Sequence, residues 1–202
     1  MNITTKNILL GSLFTISIVS CKKETTTIEP TPVVTTLEQK NVSNLFANDS
    51  VGHYTFFSIR ENKIIPLSDS ATTKWDLAFF STRILTNNGT SGSGIGGAAV
   101  LTQSFDEITS APADSVFKKD NGTALAIPTG SGNGWYNYNP TAYVITPIAG
   151  RTIVVLTADG KYAKVEILSY YQNAPSNLTM ADVPRYYTFR FKFQTDGSKN
   201  LK

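Results

Sequence analysis

The chain has 202 residues, 18 Lys+Arg against 15 Asp+Glu, and only 16% charged residues. That length predicts one domain with at most a tail, and a core large enough to be stable without disulfides. A single Cys excludes a disulfide scaffold and multi-cysteine zinc or iron–sulfur sites, a single His excludes paired-histidine metal or haem sites within one chain, and a net charge of +3 does not point to nucleic acid.

Met1 to Ser20 has a polar start with one cation, Lys6, and then an apolar stretch from Ile8 to Val19. A bilayer span wants about 20 apolar residues, so this reads as a secretory signal. Ile18-Val19-Ser20-Cys21 resembles a bacterial lipobox, with a small residue before the cysteine. The resemblance implies cleavage before Cys21 and diacylglycerol on its sulfur. The alternative is an ordinary cleaved signal with a coincidental cysteine. Several acyl chains at about 0.8 kcal/mol per buried CH₂ anchor a protein stably, where one chain is marginal.

Residues 22–40, KKETTTIEPTPVVTTLEQK, are rich in Thr, carry Pro30 and Pro32, and have no apolar period. They read as an extended tether, continuing to about residue 45, with the folded domain over 46–202. A short helix over Leu37 to Phe46 is the other option. The whole chain, with 26 Thr, 11 Phe, 9 Tyr and 2 Trp, favours strands. Strands are expected at His53 to Ile59 and Trp75 to Arg83. Arg151 to Thr157 and Lys161 to Tyr171 flank Asp159-Gly160, a strong hairpin signal. Arg185 to Gln194 alternates, with Tyr187, Phe189, Phe191 and Phe193 on one face. Breaks fall at Asn87 to Gly97, Asn121-Gly122, Gly130 to Gly134 and Asn173 to Pro184, and a helix could fit near Ala181. The expected fold is all-β, a single domain of antiparallel sheets with long loops.

Gly92-Ser93-Gly94-Ile95-Gly96-Gly97 matches G-x-G-x-x-G, but Ala98 to Leu101 after it is short and strand-like. A dinucleotide site needs a helix there, so the glycines read as a loop or as close backbone packing. His53 begins a strand and reads as structural. Asp106 and Glu107 are neighbours, which in a strand face opposite ways and cannot act as paired carboxylates. No P-loop, HExxH, CxxC or EF-hand pattern occurs, and nothing positive points to an enzyme.

Several segments in order do carry a resemblance. These are Lys74-Trp75-Asp76-Leu77-Ala78-Phe79, Asn87-Asn88-Gly89-Thr90-Ser91-Gly92, Gly96-Gly97-Ala98, Gly134-Trp135-Tyr136, Ala158-Asp159-Gly160-Lys161-Tyr162-Ala163-Lys164-Val165 and Tyr187-Thr188-Phe189-Arg190-Phe191. Together they resemble the HmuY family, haem-binding lipoproteins of Bacteroidetes, over roughly residues 50–195. Lys22, Lys23 and Glu24 also resemble the charged tag behind the cysteine of surface lipoproteins in that phylum, a solvated stretch being the alternative.

The resemblance implies an all-β fold, a lipid anchor in the outer membrane, and haem capture for a TonB-dependent receptor. It implies no enzymatic activity. Family members hold haem iron through paired His or Met, one ligand before the G-W segment and one after it. Here Pro112 to Trp135 has no His, Met or Cys, and no His or Met follows closely. His53 and Met180 lie outside both matching regions. Tyr136, Tyr138 and Tyr143 remain as candidates in the haem region, since tyrosine can also hold haem iron. The alternatives are a surface interaction module without haem, such as an accessory lipoprotein of a nutrient-uptake complex, and an enzyme acting on surface glycans or peptides. The last would need converging carboxylates that the spacing does not supply.

Overall fold

The computed structural model describes residues 37–47 and 52–202. The expected signal, the expected lipobox with Cys21, and the expected tether up to residue 36 lie outside the described residues. Among those described there is no α-helix, only antiparallel strands and two short 3₁₀ turns at Leu67–Asp69 and Asp114–Val116.

The larger sheet has five strands. They are β1 (Gln39–Phe46), β6 (Gly97–Leu101), β9 (Thr152–Leu156), β10 (Tyr162–Tyr171) and β11 (Pro184–Phe193), in the order β1-β11-β10-β9-β6. The smaller sheet is β3 (Lys63–Ile65), β2 (Thr55–Ser58), β4 (Leu77–Phe80) and β5 (Arg83–Thr86), ordered β3-β2-β4-β5. A separate hairpin joins β7 (Tyr136–Asn139) to β8 (Val144–Pro147).

The core lies where the two sheets face each other. Phe57 of β2 meets Phe189 of β11 edge-on at 5.4 Å, and Phe79 of β4 lies 4.9 Å from Tyr187 and 5.6 Å from Phe189. The alternation in β11 thus does what its pattern predicts, burying Tyr187, Phe189 and Phe191. The unbroken run Ile153-Val154-Val155 in β9 has another cause. Ile153 and Val155 join the main core, while Val154 packs outward with Ala99, Ile108, Ala111 and Leu201 in a second cluster. Both faces of β9 are covered, so neither is polar.

Three sequence expectations change. The sequence reads as tether through residue 45, yet Gln39–Phe46 is strand β1, paired with β11. Its register slips between Val42 and Leu45: Val42 opposes Phe189 and Leu45 opposes Tyr187. The bulge brings residues three apart onto one face, which hides the period of two. Second, Trp75 to Arg83 is not one strand. It breaks at Ser81-Thr82 into the β4–β5 hairpin, although neither residue is the Gly, Asn or Asp that a tight hairpin turn with a left-handed residue favours. Ser81 takes a left-handed φ of 49°. It is held there by its N–H donating to Ala47 O (2.7 Å), by the Tyr187 hydroxyl donating to its carbonyl (2.8 Å), and by the Tyr170 hydroxyl near its Oγ (3.2 Å). Third, no helix forms near Ala181, where Asp182 closes a turn by accepting from Thr179 N at 2.7 Å. Asp106 and Glu107 also sit in a turn rather than a strand.

The motif residues turn out to hold the fold together. The buried carboxylate of Asp76 accepts from Ile59 N at 2.8 Å and from Ala158 N at 2.9 Å, tying the β2–β3 turn to the β9–β10 hairpin. Burial pushes this carboxyl above its ordinary range, even though the two N–H groups and Arg60 pull it down. Asn87 donates to the carbonyls of Trp75 (2.8 Å) and Thr72 (2.9 Å) and accepts from Gly94 N (2.9 Å). A Cβ on Gly92 would lie 2.1 Å from Asn87 Oδ1, so the glycine run serves close packing.

Candidate functional site

The site is built around the β4–β5 turn. Trp135, buried beneath it, donates its indole N–H to Thr82 O at 3.0 Å. Its ring packs on Tyr136, Tyr187 and Tyr170 at 4.9, 5.2 and 5.7 Å. This aromatic stack joins the Gly134-Trp135-Tyr136 segment to the core strand β11. The β7–β8 hairpin then leads away from Trp135 toward solvent.

The three candidate tyrosines separate along that hairpin. Tyr136, at its base, is buried in the main core and is not among the residues that line the groove described below. Tyr138 and Tyr143 are 43% and 62% exposed. Tyr138 stands directly opposite Ile145, so the two share a face. The hairpin tip is shaped by Asn139, whose Oδ1 accepts from Thr141 N (2.9 Å) and Ala142 N (3.0 Å). Tyr143 follows with a left-handed φ of 54°. Such a conformation costs a non-glycine residue about 1–3 kcal/mol and concentrates at ligand-binding sites.

Tyr138, Tyr143, Ile145 and Tyr171 line one groove of about 260 Å³ together with Thr82 and Met180. Met180 is 72% exposed. Sequence reasoning set it aside because it lies far along the chain from the G-W segment. The pairing of β10 with β11 carries the Asn173 to Pro184 loop back to the hairpin, and no local signal shows that. The Tyr171 hydroxyl braces the same wall by accepting from Ile145 N at 2.8 Å. The groove therefore offers two phenol oxygens and a thioether, all ligand types for haem iron.

On the other side of the turn, the Gly122 to Thr129 segment lines a separate cavity of about 490 Å³ with Tyr54, Arg83, Leu85, Thr90 and Ser91. This segment belongs to the region where the resemblance places a first iron ligand. The described lining contains no His, Met or Cys. His53 lines neither cavity; it is exposed, with Nδ1 3.1 Å from Tyr54 O. Among the described residues no cluster of three His, Cys, Asp or Glu could hold a metal ion.

The family model for HmuY protein matches residues 50–191. Among solved structures, apo PinO from Porphyromonas gingivitis is 15% identical with a TM-score of 0.53, over 78% of this chain and 98% of that one. A HmuY-like heme binding protein from Bacteroides vulgatus is 18% identical with a TM-score of 0.46, over 76% and 89%. The apo HmuY analog of Tannerella forsythia is 16% identical with a TM-score of 0.44, over 78% and 95%. No curated protein matches. At 15% identity the likeness to apo PinO shows a shared fold alone.

Proposed function

We propose, from the premise that this chain belongs to the HmuY family, that it is a lipid-anchored surface protein that captures haem for uptake. The observation that carries the reading is the convergence of Tyr138, Tyr143 and Met180 on one groove. Haem is the cargo here, and its iron accepts phenolate or thioether ligands. Ile145 and the rings of Tyr138 and Tyr171 supply an apolar wall for the macrocycle. Cys21 is the attachment point for lipid. A TonB-dependent receptor is the proposed recipient, and the chain catalyses no reaction.

The test is titration of the chain from Lys22 onward with haemin. Saturable binding in the micromolar range with a shifted Soret band supports the reading. Absence of saturable binding overturns it. A surface interaction module without haem is the second reading, favoured by the lack of histidine in both cavities among the described residues. Recovery from the native outer membrane of a receptor complex free of porphyrin would select it.

A further inference from the structure

We propose that the cavity beside Arg83 is a second, metal-independent binding site for an organic carboxylate. The inference goes beyond haem capture, because this cavity holds none of the side chains that capture would use on iron except Tyr54. Its volume of about 490 Å³ falls in the usual range for small-molecule sites, about 300–1,000 Å³.

The walls are tied together by one buried side chain. The Asp120 carboxylate accepts from Thr86 N at 2.9 Å and from Ala126 N at 2.8 Å. Its backbone carbonyl accepts from Thr90 N at 3.0 Å, and Thr90 Oγ1 accepts from Gly122 N at 2.9 Å. Strand β5, the Thr90-Ser91 loop and the Gly122 to Thr129 segment are therefore fixed to one another. Gly89 permits this approach: a Cβ there would lie 1.9 Å from Asp120 O. A site held this way needs little ordering when a ligand enters.

The lining chemistry selects the ligand. Arg83 is exposed on β5, and among the described residues its guanidinium donates only to the Tyr54 hydroxyl, at 3.2 Å. It forms no ion pair with a described residue, and the described lining has no Asp or Glu. A guanidinium in that state is a ready partner for a carboxylate, which it grips with two parallel N–H bonds. The hydroxyls of Thr90, Ser91, Thr123 and Thr129 can donate to further oxygens. Leu85, Leu125 and the Tyr54 ring provide the apolar contact.

The carboxylate could be carried by a porphyrin or by an acidic sugar, and two probes separate these sources. Metal-free protoporphyrin IX, its dimethyl ester and glucuronate are titrated calorimetrically against the chain from Lys22 onward. The expected result is saturable binding of the free acid or of glucuronate, with the ester at least about tenfold weaker than the free acid if the porphyrin is the source. Arg83→Gln, a surface change, should weaken the bound probe about tenfold or more, Arg83→Lys less, and Met180→Ala not at all. The proposal is overturned if neither acid binds, or if Arg83→Gln leaves the affinity unchanged. Haem capture fails on a different reading, the Soret titration, so the two failures are distinguishable.

Discussion

Trp135 and Thr82 are joined by a hydrogen bond of 3.0 Å from the indole N–H to the backbone carbonyl. The bond fixes the β4–β5 turn over the aromatic stack. Thr82 faces the tyrosine–methionine groove, and Arg83 beside it faces the larger cavity. One buried tryptophan therefore supports both. Trp135→Phe keeps an aromatic ring but leaves the Thr82 carbonyl without its donor. The expected loss is about 1–3 kcal/mol, read as a lower urea midpoint. An unchanged midpoint would show that the bond does not anchor the turn.

Asp76 links the β2–β3 turn to the β9–β10 hairpin through two buried N–H groups. Asp76→Ala strands both donors and removes the carboxylate 3.6 Å from Arg60 Nε. A destabilisation of about 3–5 kcal/mol is expected by urea denaturation. A loss below about 1 kcal/mol would contradict the role.

Lys164 is buried, with Nζ donating to the carbonyls of Phe105 and Ile108, each at 2.7 Å. Burial, reinforced by Lys192 and Arg190 against the opposing pull of Asp106, pushes it down to about 8 from its ordinary 10.5. The folded chain then holds fewer protons than the unfolded chain between those values. Stability from this group rises with pH across that window and is lost as pH falls through about 8. The slope is at most about 1.4 kcal/mol per pH unit. Above pH 10 the buried Tyr187 hydroxyl, held well above its ordinary 10.0, works in the opposite sense. Urea midpoints between pH 8 and 10 should climb in the native chain and stay flatter in Lys164→Met. Equal slopes would remove Lys164 as the cause.

Strand β1 covers the outer edge of β11. A chain beginning at Ala47 loses that pairing and the contacts of Leu45 with the core. It should unfold at markedly lower urea than a chain beginning at Lys22. Equal midpoints would return Gln39–Phe46 to the status of a tether.

Much of this fold was legible because its signals are local. The alternation of Tyr187, Phe189 and Phe191 predicted β11, and Asp159-Gly160 predicted the β9–β10 hairpin. What stayed hidden depends on contacts between distant residues. The β1 bulge breaks the period of two, and the Ser81 turn is held by Ala47, Tyr170 and Tyr187 without the Gly, Asn or Asp that would mark a left-handed turn in the sequence. The candidate site divides in the same way. Tyr138 and Tyr143 could be named from their position after Trp135, while the burial of Tyr136 and the arrival of Met180 required the assembled sheets.

Haem capture through this groove stands on one comparison. The native chain and the triple variant Tyr138→Phe/Tyr143→Phe/Met180→Ala are titrated with haemin side by side. All three substitutions fall on exposed side chains, so both proteins should fold. The predicted result is saturable binding with a shifted Soret band in the native chain, and loss of that shift with at least about tenfold weaker binding in the variant. Identical spectra and affinities, or no saturable binding to either protein, would contradict it.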